Sequence, residues 1–119
     1  MAIADIAQGL VTLCKQGKFS EAVNAYYSPN IVSIEAMGEN PVAQGLDAIH
    51  AKMEWFKTSM EVHEAIVEGP YINGDQFGVR FKLDTTDKTT GKRNMMDEFG
   101  VYTVKDNKIV HERFFNGIS

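Results

Sequence analysis

One cysteine, three prolines and no apolar run of membrane length leave this chain few ways to be built. With Cys14 alone, an internal disulfide is excluded, so a packed core must hold the fold. The 119 residues fit one domain over residues 1–119, long enough to bury such a core without staples. No stretch approaches the ~18 apolar residues of a membrane span. The first residues include Asp5 and lack a basic region, so they do not read as a secretory signal; a cytoplasmic protein away from membranes is expected. Positive charge is scarce: 12 Lys and Arg stand against 16 Asp and Glu, net −4. Nothing supplies the clustered basic face that nucleic acid requires. The Lys88, Lys92 and Arg93 group falls in a hairpin tip and reads as a solvated turn. Histidine is sparse as well. His50, His63 and His111 fall on different elements without a chelating spacing, so neither a metal nor another cofactor is expected. Phosphate-cradling glycine loops and nucleophile-elbow motifs are absent.

What is present is periodic. Ile3, Ile6, Leu10 and Leu13 recur at spacings of three and four, with Ala7, Val11 and Cys14 beside them, the stripe of a first helix. Cys14 reads there as a small buried hydrophobe. Gly17 stops that helix. Ser20 is placed to cap a short second helix running to Tyr26 or Tyr27, and Pro29 closes it. Ile31 to Ala36 is β-branched and reads as a strand, followed by a loop from Gly38 to Gly45. Leu46, Ile49, Met53, Phe56 and Met60 mark a third helix with Trp55 on its flank. Beyond residue 60 the period becomes two. Strands are expected around Val62 to Ile66, over Phe77 to Leu83, from Asn94 to Val104 and from Ile109 to Phe115, joined by turns at Asn73-Gly74-Asp75 and Lys105 to Lys108.

Several local signatures carry a resemblance: Lys15-Gln16-Gly17-Lys18-Phe19, Tyr27-Ser28-Pro29-Asn30-Ile31-Val32, Gly45-Leu46-Asp47-Ala48-Ile49 and Asp106-Asn107-Lys108-Ile109-Val110. In this order and spacing the chain resembles the nuclear transport factor 2-like superfamily, in particular its SnoaL-like polyketide cyclases and ketosteroid isomerases. The resemblance implies an α+β cone, the cystatin-like roll: a curved, mainly antiparallel sheet wrapped around three helices from the N-terminal half, with an apolar cavity and a homodimer formed through the sheet. It also implies that Glu35 stands where the isomerases carry their catalytic carboxylate. Their oxyanion-hole tyrosine falls at Leu10, which has no proton to donate. Their second acid falls near Phe99 or, with one gap, at Asp97. Steroid isomerisation is therefore not implied, whereas a cyclase or dehydratase remains open.

The alternation of each strand leaves choices. Ile31, Ser33 and Glu35 share one face of the first strand, and the more apolar face belongs to Val32, Ile34 and Ala36, which would turn Glu35 outward; the resemblance turns it inward. Asp97 goes with Met95, Phe99 and Val101, where desolvation would suit it to donate a proton. One residue of slip gives that face to Met96, Glu98 and Tyr102 instead. Glu112 shares a face with Val110 and Phe114; His111, Ile109, Arg113 and Phe115 take the other. His63 shares a face with Ala65 and Val67 and could move a proton near neutral pH. The catalytic candidates are thus Glu35, Asp97, Glu112 and His63. The expected pocket is lined by Leu10, Tyr27, Met53, Trp55, Phe56, Met95, Phe99, Val101 and Phe114, an aromatic and methionine-rich set suited to a small hydrophobic ligand. Two functions stay open: proton transfer on a small hydrophobic carbonyl compound without a cofactor, or a non-catalytic small-molecule-binding or dimerisation module.

Overall fold

The computed structural model describes residues 2–116. Helices α1 (Ile3–Lys15) and α2 (Phe19–Tyr26) lead into strands β1 (Tyr27–Ile34) and β2 (Val42–Gln44). Helix α3 (Leu46–Ser59) follows, then β3 (Met60–Asn73), β4 (Gln76–Asp87), β5 (Arg93–Lys105) and β6 (Lys108–Asn116). The α1 stripe buries Ile6, Ala7, Leu10, Val11 and Cys14, each large apolar group contributing roughly 1.5–3 kcal/mol. Its end is a Schellman turn: Gly17 has φ 74°, the Lys18 N–H donates to the Leu13 carbonyl at 2.9 Å and the Gly17 N–H to that of Cys14 at 3.0 Å.

The six strands form one open sheet in the order β2-β1-β6-β5-β4-β3. All neighbours are antiparallel except β1 and β6, which run parallel. The β5–β6 hairpin turns on Asp106 and Asn107, with φ 52° and 63°, as a two-residue type I′ loop requires. Register breaks on β3 (Val62/Glu64 and Glu68/Tyr71), between β5 and β6 (Thr103/Val104) and on β1 (Tyr27/Val32) bend the sheet. The three helices cover its concave face. The expected cone is what forms, and its core runs from α1 through Ile31, Ile49, Phe77, Val79, Tyr102 and Ile109.

Four local expectations are corrected. Ser20 lies inside α2, whose N-cap is Lys18. The loop from Gly38 to Gly45 contains β2, paired to β1 through Val32–Gln44, Ser33–Ala43 and Ile34–Val42. Strand β1 begins at Tyr27, so Pro29 lies inside it, in the stretch where pairing to β6 is interrupted. Ile109 is fully buried rather than outward, because the irregularity between Thr103 and Val104 shifts the parity of β6 and turns both Ile109 and Glu112 inward.

Candidate functional site

Between α2, α3 and the inner face of the sheet lies a cavity of about 720 Å³. Leu10, Met53, Phe56, Phe81, Leu83 and Phe114 make its walls largely apolar. Pairing across β1, β6, β5 and β4 aligns Ser33, Glu112, Tyr102 and Phe77 in one row on that face.

Glu112 is 3% exposed and sits in the middle of a polar knot. The Tyr27 hydroxyl donates a short hydrogen bond to one of its oxygens. Ser33 donates to the other at 2.8 Å. The Lys52 ammonium, reaching over from α3, donates to Ser33 Oγ at 2.8 Å and to Glu35, and lies 4.0 Å from Glu112 Oε1. Lys52 also stands 5.6 Å from the centre of the Phe114 ring. Burial pushes the Glu112 carboxyl above its ordinary range; the Tyr27 and Ser33 hydrogen bonds and the Lys52 charge oppose this only in part. Burial and the Glu112 charge hold the Tyr27 hydroxyl protonated and push the Cys14 thiol up to about 12.

Glu98 differs from Glu35 and Glu112, which are both engaged. Its carboxyl makes no hydrogen bond and no ion pair among the described residues. It is half-buried, facing inward on β5 opposite Phe81. Its carboxyl is raised, first by desolvation and then by the Glu35 charge, with Lys52 opposing. A carboxyl without a fixed partner and with a raised pKa, in an apolar cavity, is equipped to exchange a proton with a ligand.

Of the residues singled out from sequence, the structure brings Glu35, Glu112, Leu10, Tyr27, Met53, Phe56 and Phe114 to the cavity. Six others lie elsewhere. Asp97, Met95, Phe99 and Val101 occupy the outer face of β5. The clean inner face of β4 pins the register, pairing Phe77 with Tyr102, Val79 with Gly100, Phe81 with Glu98 and Leu83 with Met96. Asp97 accepts two hydrogen bonds from Arg80 at 3.1 and 2.9 Å, and this partner holds its carboxyl below the usual range, the opposite of a proton donor's need. Met95 is 61% exposed. Phe99 covers Gly78, where a Cβ would lie 2.4 Å from its ring, and stacks on Tyr71. His63 is the extra residue of the β3 irregularity, which swings it to the outer face, 2.7 Å from Thr86 Oγ1. Trp55 is 62% exposed, off the α3 stripe.

Sequence reasoning missed Lys52, Glu98, Tyr102 and Met96 as cavity residues. Lys52 had a signal: with Ile49, Met53 and Phe56 it completes an i, i+3, i+4, i+7 face, so a lysine sits on the stripe that meets the sheet. The other three had only the slipped alternation of β5. Among the described residues no group of His, Cys, Asp and Glu is arranged to hold a metal ion, and no helix is long and apolar enough to cross a membrane.

Three helices inside an open curved sheet, with a cavity between them, define a nuclear transport factor 2-like architecture. The chain matches the SnoaL-like domain family over residues 1–116 and belongs to it. Among solved structures it is similar to a candidate SnoaL-like polyketide cyclase from Mesorhizobium loti, with a TM-score of 0.93 and 49% identity over 97% of this chain and 99% of that one. It also superposes on an NTF2-like protein from Burkholderia thailandensis (TM-score 0.81, 19% identity, 98% and 92% covered). A protein with a ketosteroid isomerase-like fold from Catenulispora acidiphila gives a TM-score of 0.74 at 14% identity, with 96% and 86% covered. The last two likenesses speak for the fold alone. No protein of curated function matches the chain.

Proposed function

We propose that the chain is a cofactor-independent enzyme that moves a proton beside the carbonyl of a small hydrophobic compound held in the cavity. One observation carries the reading: the Glu98 carboxyl has no hydrogen-bond or ion-pair partner among the described residues, its pKa is raised, and it faces a cavity with largely apolar walls. Its carboxylate would take a proton from the carbon next to the carbonyl, leaving an enolate, and return the proton at the same or a conjugated carbon. Lys52 has three N–H donors, of which Ser33 and Glu35 take two. Its charge favours the negative charge that develops on the ligand. Glu35 and Glu112 hold Lys52 in place and act as positioning residues. The Mesorhizobium loti relative is described both as a candidate polyketide cyclase and as a carbohydrate phosphatase, and the first description agrees with carbonyl chemistry of this class.

A second reading, a holding module without turnover, is favoured by the saturation of Glu112: its oxygens are taken by Tyr27 and Ser33, so the deepest acid is not free to react. The Catenulispora protein was solved in complex with trimethylamine, an instance of this fold holding a small molecule. Hydrogen exchange separates the two readings. In deuterated buffer, hydrophobic ketones such as 2-tetralone are incubated with the protein and followed by proton NMR. The enzyme reading expects wash-out of the hydrogens beside the carbonyl above the buffer rate, lost in Glu98→Gln at unchanged circular dichroism. Exchange at the buffer rate for every ketone would leave the holding module.

We also propose that a second copy of the chain covers the outer face of the sheet. Met95, Phe99, Phe115, Tyr71 and Ile66 expose apolar surface there around the Arg80–Asp97 pair, more than scattered single residues would give.

A further inference from the structure

The hydroxyl of Tyr102 has no task in the site described above. Tyr102 is 2% exposed. Its ring lies on Phe77, with centroids 4.9 Å apart and planes 11° from parallel, and meets Phe114 edge-on at 6.2 Å. Gly100 makes this contact possible, since a Cβ there would come to 3.0 Å from both the Phe114 and the Tyr102 rings. The ring is thus held from two sides, and its direction is set before any ligand arrives.

A buried phenol ordinarily finds a hydrogen-bond partner. The Tyr102 hydroxyl makes no hydrogen bond among the described residues. Its cross-strand neighbour Glu112 is engaged by Tyr27 and Ser33. No polar side-chain atom among the described residues is both sealed from solvent and unpaired. The Tyr102 hydroxyl therefore opens onto the cavity that this residue lines. Burial and the negative charges of Glu112, Glu98 and Glu35 hold the phenol protonated, so it faces the cavity with a hydrogen to give.

We propose that Tyr102 is the residue that anchors the ligand, by donating a hydrogen bond to its carbonyl oxygen. This rests on the reading of the cavity as a site for carbonyl compounds and adds which group on the protein recognises the oxygen. Leu10 on α1 offers no donor, and Tyr102 supplies one from β5 instead. Glu98 stands four residues earlier on the same strand face, about 13 Å away at Cα for ~3.3 Å per residue. Both side chains line the cavity. A ligand of one or two fused rings, its oxygen at Tyr102, lies in that space with carbon atoms directed toward Glu98.

The test uses two probes of matched shape, 2-acetylnaphthalene and 2-ethylnaphthalene, which differ in the oxygen. Binding of each to the wild type and to Tyr102→Phe is measured by ligand-observed NMR. The phenylalanine variant is expected to bind the ketone about five-fold more weakly, the worth of one hydrogen bond, and to bind the hydrocarbon as the wild type does. Equal loss for both probes, no loss for either, or no binding of either probe to the wild type overturns the proposal. The carbonyl stretch of the bound ketone provides a readout that does not need the variant to fold: it should fall below its position in hexane, and an unshifted band overturns the anchor. If the ketone effect is present while no ketone exchanges hydrogen, the proton-transfer reading fails and the Tyr102 anchor stands. If exchange occurs without the ketone effect, the reverse holds.

Discussion

Ser33 donates to Glu112 across 2.8 Å, tying β1 to the strand that lies parallel to it, although the two residues are 79 positions apart in sequence. Tyr27, where α2 gives way to β1, donates to the same carboxylate, and Lys52 brings in α3. One buried acid thus ties the α2–β1 junction, β1 and α3 to β6. Its cost in desolvation is offset only while those donors remain.

Glu112→Ala should therefore be among the most damaging single changes. It leaves the Tyr27 and Ser33 hydroxyls without their acceptor and opens a hole beside Lys52. A loss of about 3–5 kcal/mol is expected, read as a shift in the urea midpoint. Glu112→Gln, which keeps the shape, should lose less. A midpoint unchanged by Glu112→Ala would show that the knot contributes nothing to the fold.

Glu98 should make stability fall as pH rises. Its folded pKa is raised, so between the ordinary carboxylate value and the folded value the native state keeps a proton that the unfolded chain has released. The contribution is fully present below the ordinary value and is lost as pH climbs through the folded one. Glu98→Gln removes this dependence. Urea unfolding at several pH values should show the wild type losing ground to the variant as pH increases; a constant difference would mean that Glu98 is solvated as an ordinary surface acid.

Cys14 should be inert. With its thiol pushed up to about 12 by burial and by Glu112, the reactive thiolate is on the order of one part in ten thousand at pH 8. An aromatic disulfide reagent should modify it no faster than the native protein opens, and rapidly in denaturant. Prompt reaction of the folded protein would contradict the closed packing of α1 on the sheet.

The sheet face should govern assembly. Sedimentation at micromolar concentration should show two copies for the wild type and one for Phe99→Glu, with the same circular dichroism. A monomeric wild type would end the proposal for that face.

Much of this architecture can be read from residue spacing alone. The α1 stripe and the alternation Phe77, Val79, Phe81, Leu83 have one apolar face each, and so admit one solution. Strand β5 does not. Met95, Asp97 and Phe99 on one face mirror Met96, Glu98 and Tyr102 on the other, because the outer face of this sheet is apolar as well. Only the pairing to β4 separates them. The irregularities that swing His63 outward and Ile109 inward leave no mark in a two-residue period, since one added residue reverses all that follows it. The resemblance places Glu35 on the cavity side where hydrophobicity alone points outward: Ser33 on β1 and Glu35 just past its end are polar on that side because Lys52 and Glu112 meet them there.

The measurement closest to the centre of this account is the titration of the Glu98 side-chain carboxyl by carbon NMR, assigned with Glu98→Gln and repeated in Glu35→Gln. The account predicts a midpoint above the ~4.3 of a free glutamate, moving down when the neighbouring Glu35 charge is removed. A midpoint at or below the ordinary value, indifferent to Glu35, would contradict the assignment of Glu98 as the proton carrier.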